Sequence, residues 1–393
     1  MPFTTEVAPV SFKNTRMFAP FTLGKTRLAH RVVMAPLTRM RAHFPGNIPD
    51  TVDMPLYYKQ RASYPGTMVI TEATLVSPEA GGFDNAPGIW SKEQVEAWKP
   101  TFSGIRECGS FSWVQLWALG WEADIPSLAR DGLPYVGPSD DVYKSAESQA
   151  EALKYNKPIH GLLQDEIEQY IQAFAHAAEN SIQAGADGVE IHAANGYLLQ
   201  QYMDIRANAG ASIQERAKFT LDIVRAVCKA IGPERVGIRI SPFFRSAGMR
   251  GSRDDLLIAE YAYLLGKMQA EWPTIAYLHV IDPVPRFNED NETGQPQESN
   301  DFVYTIWKGP VIRAGGLGRF PETARKFLQD DRTLLAYGRY FLSTPDLVER
   351  LRDGHPLNAY DEDTYYTPGP RGCTDYPTYQ EAIEAGWKVP KHA

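Results

Sequence analysis

Along the chain, short runs of β-branched or apolar residues recur, and each is followed by a longer segment in which apolar side chains return every three or four positions. The predicted strands are Val32 to Pro36, Thr67 to Thr71, Ser112 to Trp117, Gly188 to His192, Val236 to Ile240, Ile275 to Val280, Val311 to Ala314 and Leu334 to Gly338. The clearest helix puts Ile167, Tyr170, Ile171, Phe174, Ala177, Ala178 and Ile182 on one face, and Gly185 supplies its C-terminal stop. Asp255 to Trp272 and Pro321 to Leu328 carry the same spacing. Strand alternating with helix implies parallel pairing through right-handed crossovers, since a parallel neighbour is reached only by a long connection.

Eight such units predict an α/β fold, a single (β/α)8 TIM barrel. Two segments interrupt the alternation. Ala118 to Gly161 is too long for a plain βα connection, and its place after a strand's C-terminal end suits a lid. Phe287 to Asp301 is a polar loop after the sixth strand. Ahead of the barrel, Phe21 to His30 with Gly24-Lys25 at its centre reads as a hairpin cap for the barrel's bottom. The 393 residues have room for one barrel with βα-loop insertions or for two ordinary domains. No composition shift marks a linker, so one domain over 1–393 is expected.

Forty basic against 48 acidic side chains leave a net charge of −8, which argues against a nucleic-acid groove or an anionic membrane as the main partner. Cys108, Cys228 and Cys373 are odd in number and lack metal-ligand spacing, so neither a disulfide framework nor a metal site is expected. The start lacks the order of a signal peptide and no apolar run reaches membrane-spanning length, so a soluble, cytoplasmic protein is expected.

In such barrels the chemistry sits at the C-terminal strand ends. The fourth strand runs into His192, Asn195 and Tyr197, two hydrogen-bond donors and a phenol. That set suits reduction of an activated alkene, where negative charge develops on an oxygen while one carbon receives hydride and its neighbour a proton. The competing reading is a satisfied buried histidine beside a packing tyrosine; three such groups within six residues favour chemistry. The seventh strand leads into Gly315 and Gly316 and the eighth into Gly338 and Arg339, a glycine and arginine pairing suited to phosphate. Thr38, Gln115 and Arg239 face the same rim, where an amide and a cation match a flavin pyrimidine. For each of these three, an inter-strand polar contact is the alternative.

The stretches HAANGYLLQQYMD (192–204), FSWVQLWALGW (111–121), RVVMAPLTRMRA (31–42), GFDNAPGIWS (82–91) and YGRYFLSTPDLVERL (337–351) closely resemble old yellow enzymes, particularly fungal ones, over nearly the whole chain. The resemblance implies a tightly but non-covalently bound FMN, reduced by NADPH or NADH, and hydride transfer to activated alkenes. It implies that His192 and Asn195 hold the substrate oxygen, that phenolic ligands use the same pair, and that Tyr197 donates the proton. Thr38 would tune the flavin, with Pro36, Leu37 and Ala73 beside it. Gln115 and Arg239 would bind its pyrimidine, and Gly315, Gly316, Gly338 and Arg339 its phosphate. Trp117 would line the substrate pocket, with barrel packing as its other role. A homodimer is compatible with the resemblance.

The sequence also departs from the family. The loop between Asp204 and Arg216 is several residues shorter, and Cys373 and Phe83 stand where relatives carry tyrosines at the pocket rim. Altered substrate preference with the core chemistry kept is the expectation. Three other readings compete: an ergot-pathway-like aldehyde reductase or isomerase of the same family, a phosphate-binding barrel without flavin, and a flavin-binding protein without turnover. Tyr197 speaks against the isomerase, and the strand ends offer neither the lysine nor the carboxylate base that an aldolase or sugar-phosphate isomerase needs.

Overall fold

The computed structural model describes residues 8–207, 210–251, 255–283 and 298–387. Its strands are β1 (Phe21–Leu23), β2 (Thr26–Leu28), β3 (Val32–Met34), β4 (Met68–Leu75), β5 (Phe111–Trp117), β6 (Val136–Gly137), β7 (His160–Gly161), β8 (Gly188–Ala193), β9 (Val236–Ile240), β10 (Tyr277–Ile281), β11 (Val311–Ala314) and β12 (Thr333–Tyr337). The helices are α1 (Asp53–Arg61), α2 (Lys92–Glu107), α3 (Ile125–Asp131), α4 (Ala146–Lys154), α5 (Gln164–Ala184), α6 (Leu198–Met203), α7 (Ile213–Ile231), α8 (Leu257–Glu271), α9 (Val303–Ile306), α10 (Pro321–Phe327), α11 (Arg339–Ser343), α12 (Leu347–Asp353) and α13 (Tyr379–Glu384).

Strands β3, β4, β5, β8, β9, β10, β11 and β12 close into a parallel barrel with helices outside, as the alternation predicts. The predicted strand ends differ most at β4, which continues to Leu75 instead of stopping at Thr71. There a register shift between Ile70 and Ala73 inserts a bulge. A bulge reverses the inward and outward alternation. Ile70 packs inside the barrel, while beyond the bulge Ala73 faces the barrel mouth and Glu72 turns toward Tyr58 and the Arg39 backbone.

Helix α5 carries the predicted face, with Tyr170, Ile171, Phe174, Ala177 and Ala178 buried and Gly185 closing it at φ +111°. Helices α2 and α7 begin at capping boxes, Ser91 with Gln94 and Ser212 with Glu215.

Inside the barrel, Trp113 and Tyr277 meet edge to face at 5.1 Å. Their bulk is accommodated by Gly188 and Gly237 on the neighbouring strands, since a Cβ at either position would overlap the Trp113 or Tyr277 ring. Below this aromatic layer the antiparallel hairpin β1–β2 presents Leu23 and Leu28 to the barrel interior, and Lys25 at its tip pairs with Glu234. The expected hairpin cap is present.

The stretch 118–161 folds into a 3-10 turn, α3, α4 and the two-stranded parallel sheet β6–β7. Trp121, Ile125, Leu128, Tyr135 and Ile159 form its own apolar core, and Trp121 Nε1 donates to the Ala247 carbonyl at 3.0 Å. It occupies the place expected of a lid. Of the polar loop read at Phe287 to Asp301, residues 287–297 lie outside the described residues; Arg313 pairs with Asp301 at 2.9 Å.

His30, buried just before β3, accepts the Val32 N–H at Nδ1 (3.2 Å) and donates through Nε2 to Thr67 Oγ1 (3.0 Å). Burial holds its pKa down at about 4 against the ordinary 6.5. The folded state keeps His30 neutral where the unfolded chain binds a proton. Its contribution to stability is therefore complete above pH 6.5 and is lost as pH falls toward 4, by about 3 kcal/mol. Urea unfolding of His30→Gln should show a flatter stability profile across that window than the parent; an identical slope would place the acid sensitivity elsewhere.

Candidate functional site

At the C-terminal ends of the barrel strands a cavity of about 600 Å³ opens, within the ~300–1,000 Å³ common to small-molecule sites. The segment after β3 contributes Pro36, Leu37 and Thr38 to its wall, and β4 contributes Ala73 beyond the bulge. Gln115 and Trp117 come from β5, and His192 from β8 with Asn195 and Tyr197 just after it. Arg239 of β9 and Arg339 at the start of α11 complete the predicted set. Gly315, Gly316 and Gly338 follow β11 and β12 at the same end, but they are not among the residues lining this cavity. Gly315 and Gly316 adopt φ +136° and +60°, which L side chains rarely take.

The wall that His192, Asn195 and Tyr197 share is built tightly. The Tyr197 ring stands edge-on to both His192 (5.0 Å) and Trp117 (4.8 Å). Asn195 is held at φ +59°, a left-handed conformation that asparagine tolerates better than most residues. Its N–H donates to Ser241 Oγ at 2.8 Å, and Ser241 Oγ in turn donates to Gln200 Oε1 at 2.9 Å. Gln200 Oε1 also takes the Gly196 N–H, so two consecutive backbone donors are fixed through one serine and one glutamine. Gln201 adds bonds to the carbonyls of Leu119 and Gly196.

Burial, reinforced by Arg239 and His279, pushes the His192 imidazole well below its ordinary pKa, so it is neutral at physiological pH. Its Nδ1 is buried without a partner among the described residues. Burial raises the Tyr197 phenol above the ordinary tyrosine range and keeps its proton in place. The Arg239 side chain is likewise buried, and its Nε has no partner among the described residues. Gln115 is anchored by donating from Nε2 to Glu190 Oε1 at 2.7 Å.

Sequence reasoning missed four lining residues, Met40, Leu342, Tyr365 and Tyr366. The tyrosines belong to the segment after α12, beyond the reach of any strand-end rule. Arg39 and Arg41 hold that segment through its backbone carbonyls, with Arg39 Nη2 on Gly372 at 2.8 Å and Arg41 Nε on Gly369 at 2.9 Å. Phe83 lines the cavity as expected, 5.8 Å from the Trp117 ring. Cys373 does not. It is buried away from the cavity, where its carbonyl accepts from Arg61 Nη2 at 2.9 Å, so the expected rim position is corrected.

A parallel barrel with a polar-floored cavity at its mouth is the architecture of a barrel enzyme. Residues 16–358 match the NADH:flavin oxidoreductase / NADH oxidase family, and the chain belongs to it as an oxidoreductase. It is 45% identical over 390 residues to enoate reductase 1 of Kluyveromyces lactis, covering 97% of this chain and 98% of that protein. Among solved structures it is similar to the old yellow enzyme of Pichia sp. AKU4542, with a TM-score of 0.87, 34% identity and 97% of each chain covered. Morphinone reductase is similar with a TM-score of 0.82 at 33% identity, covering 95% of this chain and 99% of that one. The resemblance to old yellow enzymes read from the sequence is borne out.

Ser241→Ala removes the acceptor for the Asn195 N–H and should destabilise the fold by about 1–3 kcal/mol, read as a lower thermal midpoint. An unchanged midpoint would mean that the strained turn is held by its neighbours alone.

Proposed function

We propose that this protein is an FMN-dependent ene-reductase, one domain serving one site, which takes reducing equivalents from NADPH or NADH and reduces enones, enals or nitroalkenes. The observation that carries the proposal is the protonated Tyr197 phenol packed against a neutral His192 ring, over a cavity walled by Gln115 and Arg239. These residues fit a flavin. An amide with free donor and acceptor capacity would meet a pyrimidine edge, and a buried guanidinium whose Nε has no partner among the described residues would meet its anionic side. When bound, FMN supplies a two-electron carrier between the nicotinamide and the alkene.

The chain's own residues do the rest. Neutral His192 and Asn195 donate hydrogen bonds to the carbonyl or nitro oxygen, where negative charge grows as the alkene is reduced. Tyr197 gives its proton to the α carbon, and its high pKa keeps the proton available until that carbon becomes basic. Thr38 would hydrogen-bond the flavin ring, with Pro36, Leu37 and Ala73 beside it, and Arg339, with Gly315, Gly316 and Gly338, would hold the phosphate. Trp117 and Phe83 shape the alkene's berth, Phe83 offering an apolar face where a phenol is absent. Tyr197 favours reduction over the aldehyde isomerisation of ergot-pathway relatives.

The purified protein should show a yellow flavin spectrum that bleaches with NADPH under nitrogen and returns on adding 2-cyclohexenone. A colourless protein that cannot be reconstituted with FMN would overturn the roles given to Gln115, Arg239 and Arg339. Tyr197→Phe should slow the return of colour with the enone by about 10²–10⁴-fold and leave bleaching by NADPH unchanged. Equal losses in both steps would make the residue structural.

A further inference from the structure

Glu190 lies at the centre of the barrel, fully buried on β8 and absent from the cavity wall. Its two oxygens are both engaged, Oε1 by Gln115 Nε2 at 2.7 Å and Oε2 by His279 Nδ1 at 2.8 Å. Gln115 is its direct register partner on β5, and His279 pairs with Arg239 across β9 and β10. Burial alone would raise the Glu190 carboxyl, but His279, Arg239 and Gln115 outweigh it and hold it ionised. His279, pushed down by burial, stays neutral and donates.

We propose that Glu190 is a positioning residue for the cofactor: it fixes which way the Gln115 amide faces, and its charge offsets that of Arg239. The inference rests on the flavin reading of the cavity. One amide hydrogen of Gln115 is committed to Glu190, which leaves Oε1 and the second N–H for a ligand. Together these match a ring edge carrying a carbonyl beside an N–H. Rotating the amide would set Gln115 Oε1 against a carboxylate oxygen, acceptor against acceptor, and Glu190 cannot turn aside while His279 holds its other oxygen. The same carboxylate stands two register positions from Arg239 on the paired strands β8 and β9, where Glu190 lies opposite Gly237 and His192 opposite Arg239, and it is a negative charge acting on that buried cation. It thereby moderates how strongly that cation favours negative charge on the reduced cofactor.

The test is a double-mutant cycle on apoprotein titrated with FMN, followed by quenching of flavin fluorescence. Gln115→Leu and Glu190→Leu should each weaken FMN binding about tenfold, and the double variant should bind no more weakly than Gln115→Leu alone. Additive losses, or Glu190→Leu binding like the parent, would overturn the positioning role. Gln115→Leu binding like the parent would instead bring down the flavin reading of this wall. Glu190→Gln keeps the shape and, with the other His279 tautomer, both hydrogen bonds, while removing the charge. Its bound flavin should have a more positive midpoint potential than the parent, and an unchanged potential would overturn the charge-offset role. Far-UV circular dichroism of each apoprotein checks folding; if Glu190→Leu does not fold, the same affinity cycle is run with Glu190→Met, which likewise offers Gln115 no carboxylate acceptor, and the same outcomes support or overturn the positioning role.

Discussion

A closed barrel of eight parallel strands has to fill its own interior, and this chain places a carboxylate and a guanidinium there. Removing either from water costs several kcal/mol, and an isolated buried charge is tolerated far less well than a compensated one. Glu190 and Arg239 therefore belong to one arrangement, with Gln115 and His279 each donating to one oxygen of the carboxylate. Beneath them the Trp113 and Tyr277 rings, admitted by Gly188 and Gly237, close the space down to the hairpin. Above them is the cavity. The polar layer is both the roof of the core and the wall of the site, so the groups that make the barrel's centre electrically acceptable are those that meet a ligand.

The rest of the site is fastened to this layer by connections from three directions. The bulge in β4 turns Ala73 toward the cavity and Glu72 away from it, and Glu72 then accepts the Arg39 N–H at 3.1 Å. Burial raises the Glu72 carboxyl to about 7, a sign of how little water reaches this junction. Arg39 and Arg41 extend from there to the backbone carbonyls of the segment after α12, which brings Tyr365 and Tyr366 to the mouth. On the opposite side, Ser241 and Gln200 hold the turn of Asn195, and Leu198 N–H bonds the Ala118 carbonyl where the inserted stretch begins. The site is thus assembled from strand ends but held by loops.

Periodicity alone made the barrel legible. Each of the eight strands is a short apolar run, helices α5 and α8 show a buried face at helical spacing, and these are local properties that the chain carries whatever its neighbours are. The strand-end rule then reached His192, Asn195, Tyr197, Gln115, Arg239 and Arg339, because parallel strands all deliver their C-terminal ends to one mouth. The family resemblance, a separate ground, placed Phe83 correctly and misplaced Cys373. Arg39, Arg41 and Arg61 take the carbonyls of Gly372, Arg371 and Cys373 in turn, and these long-range bonds, which no local pattern announces, fix the backbone around that cysteine.

The fold class, the order of the strands and the end of the barrel at which polar residues gather all follow from spacing along the chain. Folding in three dimensions is what brings Tyr365 and Tyr366 to that mouth, turns Glu72 outward while Ala73 points in, and sets Glu190 between Gln115 and His279. These depend on contacts between residues far apart in sequence, on one bulge that reverses an alternation, and on the need to leave no buried charge uncompensated. A linear pattern encodes which face a residue tends to occupy; it does not encode what it will meet there.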